Sequence, residues 1–226
     1  MAQRPVYIAT SNKNSFVREE MVEFQWFPGM SKSQKQKSIQ ALHHTAKECL
    51  EIEKILEVSS KSEEELGIAL SAFNLSYEIP NSRKSISVEC IFQSSKVFEK
   101  GGPFTELLDV SSIEAKKYEK LQTSGKLLYF QRKDERWELE PKTLFYDWIY
   151  LNTLRCNNAL AEQVLDYNAF TDIEFNPKKS INCQAASVAL FVSLVKIGLL
   201  DEVLHNKEAF TEFMTSQLAR NQEKLL

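Results

Sequence analysis

At 226 residues the chain can bury a substantial core as one domain, with little left for a second. A hydrophobic fraction of 43%, with only six glycines and six prolines, excludes a disordered or low-complexity chain. A net charge of −3 excludes a general attraction to nucleic acid, so a DNA substrate would have to be held locally. No apolar run approaches the roughly 20 residues that span a bilayer. The opening MAQRPVYIATSNKN lacks the apolar core of a secretory signal, so a cytoplasmic protein with no membrane contact is expected. Cys49, Cys90, Cys156 and Cys183 are far apart and suit free thiols in a reducing compartment. Three histidines, two of them adjacent, offer no ligand spacing, so neither a metal nor a cofactor is expected.

In chain order, residues 6–9 and 22–27 read as strands, the second ending at Pro28-Gly29. Ser31 or Ser33 caps a helix running to about Leu50, with Ile39, Leu42, Ala46 and Cys49 facing inward. Residues 55–59 form a strand candidate before the polar loop Ser60-Lys61-Ser62-Glu63. A helix is expected over residues 87–104, capped by Ser87 and stopped by Gly101-Gly102-Pro103. Ser111-Ser112-Ile113-Glu114 is a capping box for a helix to about Leu121. Residues 126–132 and 137–139 suggest a strand pair, and Pro141 suits the first turn of the next helix, with Leu144, Trp148, Leu151 and Arg155 along one side. Asn157-Asn158 caps a further helix over 159–166, and residues 167–184 read as a loop. Residues 185–197, closed by Gly198, are apolar all round and form the central buried helix; a last helix spans about 206–224. Three basic clusters (Lys32, Lys35, Lys37; Lys116, Lys117, Lys120; Arg132, Lys133, Arg136) read as solvated faces, because acids are interspersed in the last two.

The stretch 87–104 organises the chain. On a continuous helix Glu89, Gln93 and Lys96 fall at i, i+4 and i+7 on one narrow face, beside an apolar face of Val88, Ile91, Phe92, Ser95 and Phe98. Spacing alone is met by a half-exposed helix with solvated charges. Glu89 and Lys96 are two turns apart, too far for an ordinary helix ion pair, which leaves room for a ligand between them.

Glu89-Cys90-Ile91-Phe92-Gln93-Ser94-Ser95-Lys96-Val97-Phe98 resembles the E-x-x-F-Q-x-x-K-x-F signature of the NADAR (YbiA-like) superfamily. Leu70-Ser71-Ala72-Phe73-Asn74 upstream resembles its L-S-N-F segment, and Trp137 with Lys142 resembles the segment after a family tryptophan. Gly101-Gly102-Pro103 and residues 176–184 are similar to the NADAR antitoxins that accompany DarT-type DNA ADP-ribosyltransferases. The resemblance implies a helix-dominated α+β fold: a single NADAR domain over residues 55–226, with a small sheet and an N-terminal extension over 1–54 packed on it. It implies catalytic roles for Glu89, Lys96 and Glu174, and substrate contacts from Lys61, Ser71, Phe73, Gln93 and Trp137. Phe73 reads equally as a core residue. Ala72 stands where the family has its asparagine, and Lys179 stands where the family aspartate would fall, so neither role carries over.

There is no Walker loop, Rossmann fingerprint, nucleophile elbow or Cys/His dyad. An acid and an amine with flanking aromatics suit cleavage of an N-glycosidic bond. The family implies an N-glycosidase that removes ADP-ribose from guanine bases of DNA, the antitoxin of a DarT-type toxin. ADP-ribosylated DNA would be its substrate, ADP-ribose its product and the toxin a possible partner. Two alternatives stay open: an N-glycosidase acting on a small nucleotide-derived intermediate of the riboflavin-precursor type, and a non-catalytic module that binds ADP-ribose or the toxin.

Overall fold

The computed structural model describes residues 1–178 and 180–223. Lys179, and Lys224 at the expected end of the last helix, lie outside the described residues. The chain begins with β1 (Ala2–Asn12), β2 (Ser15–Phe24), α1 (Lys32–Leu50), β3 (Ile55–Glu57) and α2 (Glu65–Ala69). Then come β4 (Ser76–Glu78), β5 (Ser85–Ser87), α3 (Val88–Ser94), β6 (Lys96–Phe98), α4 (Ser112–Lys116) and α5 (Lys120–Thr123). They are followed by β7 (Leu127–Arg132), β8 (Glu135–Trp137), α6 (Leu144–Arg155) and α7 (Asn158–Gln163). The last elements are β9 (Ala169–Thr171), α8 (Gln184–Ile197), α9 (Leu200–Val203) and α10 (Lys207–Glu223). The fold is α+β and helix-dominated, as expected. No helix among the described residues is long and apolar enough to cross a membrane.

Contacts divide the chain into two compact units, one of Met1–Ser71 with Asn158–Leu226 and one of Ala72–Asn157. The first unit is built on a sheet of order β2-β1-β9-β3, in which β1 pairs antiparallel with β2 and β9, and β3 runs parallel to β9. Strands on both sides of residue 54 therefore share one sheet. Alternation along β1 sends Val6 and Ile8 into a core with Val22, Phe24 and the inner face of α1 (Ile39, Leu42, Ala46). Tyr7, between them, points the other way and hydrogen-bonds Cys183, the cap of α8. The Ser193 hydroxyl of α8 donates to the Phe16 carbonyl at 2.6 Å and accepts from the Thr10 N–H at 3.0 Å, tying the hairpin to that helix. Cys49, expected to face inward, is exposed, because α1 ends one residue later, where Glu51 turns left-handed. The strand β9 sits inside what reads as a loop, since three residues have no period of their own and are fixed by pairing.

The second unit carries an antiparallel sheet of order β6-β7-β8 and a β4-β5 hairpin. Here the long helix expected over 87–104 is corrected. α3 ends at Ser94 and the chain enters β6 at once. The hydroxyls of Ser94 and Ser95 turn back onto the Ile91 carbonyl at 3.0 and 2.7 Å and compete with the next helical bonds. Val97 and Phe98, a β-branched and an aromatic residue, then pair with β7. The helix is not half-exposed either: every residue of α3 is buried. Pro141 lies before α6 and outside it.

Candidate active site

The site is built on α3 and the two segments that hold its ends. The Ser87 side chain caps the helix through the Cys90 N–H at 3.1 Å. The N–H groups of Val88 and Glu89, which no helical carbonyl can reach, donate to the carbonyls of Leu75 and Ala72, both at 2.9 Å. These bonds lay residues 72–75 against the start of α3 and bring Phe73 to it. The Ser112 hydroxyl, at the start of α4, donates to the Phe73 carbonyl at 2.7 Å and is hydrogen-bonded to the Ser87 hydroxyl, whose proton it can accept, at 2.8 Å. One serine thus pins α4, the Phe73 loop and the α3 cap together. The capping box of Ser111 and Glu114 is present as expected.

Glu89 and Gln93 are each 7% exposed. The Gln93 amide donates from Nε2 to Glu89 Oε1 at 2.8 Å, the i,i+4 contact expected on one helix face. A carboxylate only accepts, so this bond orients the amide and leaves Gln93 Oε1 as the free end. Gln93 Oε1 is buried with no hydrogen-bond partner among the described residues. A ligand hydroxyl or amine would satisfy it.

Lys96 reaches the same place by a different route, from the first position of β6. Its Nζ lies 4.6 Å from the centre of the Phe92 ring, and Phe92 itself packs on Phe130 at 5.3 Å and on Tyr146 at 5.3 Å. Burial against these rings disfavours the ammonium and pulls the amine down to about 8. The Glu89 carboxylate opposes that shift, and the charge of Lys116 adds to it. The result is an amine that is partly neutral near pH 8 beside a buried acid and an orphaned acceptor.

Among the other expected site residues, Phe73 is half-buried and carries the Lys116 Nζ 5.0 Å from its ring centre. Trp137 is 1% exposed and packed between Phe145 at 5.6 Å and Trp148 at 5.3 Å. A ring so enclosed has no face to offer a ligand and serves the core. Lys61, Ser71 and Glu174 belong to the first unit. Lys61 is half-buried in its loop, its N–H donating to Ser59 Oγ at 3.1 Å. Ser71 is buried, with its hydroxyl unpartnered among the described residues. Glu174 is 44% exposed at its side chain and paired with Lys35 at 3.0 Å.

Sequence reasoning missed a second group of acids in the first unit. Glu57, 2% exposed, accepts from the hydroxyls of Ser59 at 2.6 Å and Thr171 at 2.7 Å and from the Ile173 N–H at 2.9 Å. Asp172 accepts from the N–H groups of Glu174 at 3.0 Å and Phe175 at 3.2 Å. Burial, then the neighbouring Glu57, pushes Asp172 up to about 8, and burial raises Glu57 as well. No local pattern could reveal this pair, because Glu57 and Asp172 meet only when β3 joins β9. Among the described residues no group of His, Cys, Asp and Glu side chains could hold a metal ion.

Compared with known families, residues 2–224 match the model described as "DarT1-associated NADAR antitoxin". The match takes in β1, β2 and α1 as well as the α3–β6 segment. A search of curated proteins found none that matches the chain.

Proposed function

The chain belongs to the DarT1-associated NADAR antitoxin family, and on that footing we propose that it removes ADP-ribose from guanine bases of DNA by cleaving the N-glycosidic bond, reversing the modification made by a DarT-type toxin. The observation that carries this reading is the Lys96 amine, drawn down to about 8 by burial, close to the Glu89–Gln93 pair. Such an amine is a nucleophile at neutral to mildly alkaline pH, and C1 of a ribosyl group is an electrophile at the aldehyde level of oxidation.

The Lys96 nitrogen attacks C1, and its bond to that carbon forms as the bond from C1 to the base nitrogen breaks. The amine releases one proton and the departing base takes one up. The ring oxygen then leaves C1 with a proton, giving an iminium between C1 and Lys96. Glu89 takes a proton from water as the water oxygen adds to C1. Collapse of that adduct breaks the C1–Lys96 bond, and the open form of ADP-ribose departs while the amine is regenerated. Glu89 suits the water-activating role, since the Gln93 amide that donates to it at 2.8 Å fixes its carboxyl group within the site. Gln93 Oε1 would accept from a ribose hydroxyl, and Phe73 offers an aromatic surface for a base.

The test is release of ADP-ribose from single-stranded DNA modified on guanine or on thymine. The expected result is release from guanine, none from thymine, and loss of turnover in Glu89→Gln with ADP-ribose binding kept. Turnover confined to small nucleotide-derived substrates, or ADP-ribose binding without any release from DNA, would replace this reading by one of its two alternatives.

A further inference from the structure

Lys116 stands out because its charge is placed and unspent. It is the last residue of the five-residue helix α4, which is held by a full capping box and by the two hydrogen bonds of Ser112. Its Nζ lies over Phe73, and it acts electrostatically on Lys96. No acid pairs with it among the described residues. Lys120, the other cation nearby, is drawn instead to Tyr118 and to Glu106, 4.0 Å away. An ammonium held over an aromatic ring with no carboxylate paired to it is placed to receive an anion.

We infer that Lys116 is the diphosphate-binding residue of this site, which leaves Lys96 to act as the uncharged amine. The assignment rests on the function proposed above and divides the labour between the two lysines. A single lysine cannot both hold a phosphate as an ammonium and attack carbon as an amine. With Lys116 supplying the fixed charge over Phe73, Lys96 needs none. Burial against the Phe92 ring is what chiefly keeps Lys96 neutral; of the charged groups that act on it, Glu89 on α3 opposes this more than Lys116 on α4 adds to it.

The experiment is calorimetric titration of the full chain with ADP-ribose, inorganic pyrophosphate and adenosine. Three variants, Lys116→Gln, Lys116→Arg and Lys117→Gln, are compared with the wild type. Lys117, exposed like Lys116, serves as the control for general charge. The expected result is a roughly tenfold weaker Kd for ADP-ribose and pyrophosphate in Lys116→Gln, little change for adenosine, near wild-type binding in Lys116→Arg and no effect in Lys117→Gln. The pH at which turnover rises should also move upward in Lys116→Gln, a readout that a merely structural lysine would not change. If the wild type binds ADP-ribose and Lys116→Gln binds it equally well, this assignment fails while the functional reading stands. If the wild type binds no ADP-ribose, both fail.

Discussion

Lys96 carries the chemistry only if its amine is neutral at the working pH. Its value of about 8 lies well below that of an unfolded lysine. The folded chain therefore gives up this proton first, and the group makes folding more favourable as pH rises from about 8 towards 10.5. Activity should follow the same titration from the other side: kcat/KM rises with pH and levels off above about 8. A flat profile between pH 6 and 9 would mean that the amine is not the nucleophile. Glu89 and Gln93 were legible in the sequence, because i and i+4 stay neighbours even on a helix of two turns. Lys96 was legible as a residue but not as a geometry, since it arrives from a strand. For Trp137 the sequence is silent on geometry for a different reason: an aromatic in a motif has the same letter whether it stacks on a ligand or, as its ring does here, on Phe145 and Trp148.

The element that places Lys96 is the switch from α3 to β6, and it depends on Gly102. This glycine sits at φ 97°, and a Cβ there would collide with the Lys96 carbonyl oxygen. Gly102→Ala should cost at least about 2 kcal/mol, through strain at positive φ and displacement of the strand. Urea unfolding of that variant with an unchanged midpoint would show that the turn adapts freely. Sequence reasoning placed a stop at Gly101-Gly102-Pro103 but put the end of the helix there too. The true end, at Ser94 and Ser95, is set by hydroxyls bonding backward and by pairing with β7, and only the first of these is local. Where a local device suffices, as in the Ser111–Glu114 capping box, the start of the helix was legible but not its length: the helix expected to about Leu121 ends at Lys116, and the separate α5 begins at Lys120.

Across the whole molecule, the sequence-based fold class holds, while the contacts that bring distant segments together were not legible. Glu57 and Asp172 are the clearest case, being over a hundred positions apart and joined by the β3–β9 pairing. Burial raises both acids, so ionising them costs the folded state more than the unfolded one. Asp172 therefore contributes a penalty that is absent below about pH 4 and grows until about pH 8. Asp172→Asn keeps a side-chain oxygen for the two N–H groups it caps. Its thermal midpoint should exceed the wild type's by more at pH 8 than at pH 5. An equal difference at both values would show that the carboxylate ionises freely in the fold.

The proposed reaction turns on a transient covalent bond between Lys96 and the ribosyl carbon. Borohydride added during turnover of guanine-modified DNA reduces an iminium to a stable amine, and peptide mass spectrometry then locates it. An ADP-ribosyl adduct on Lys96 is expected, more abundant in Glu89→Gln, where water can no longer be activated to release it. An unmodified Lys96 in the trapped protein, together with a Lys96→Arg variant that still turns over, would contradict it.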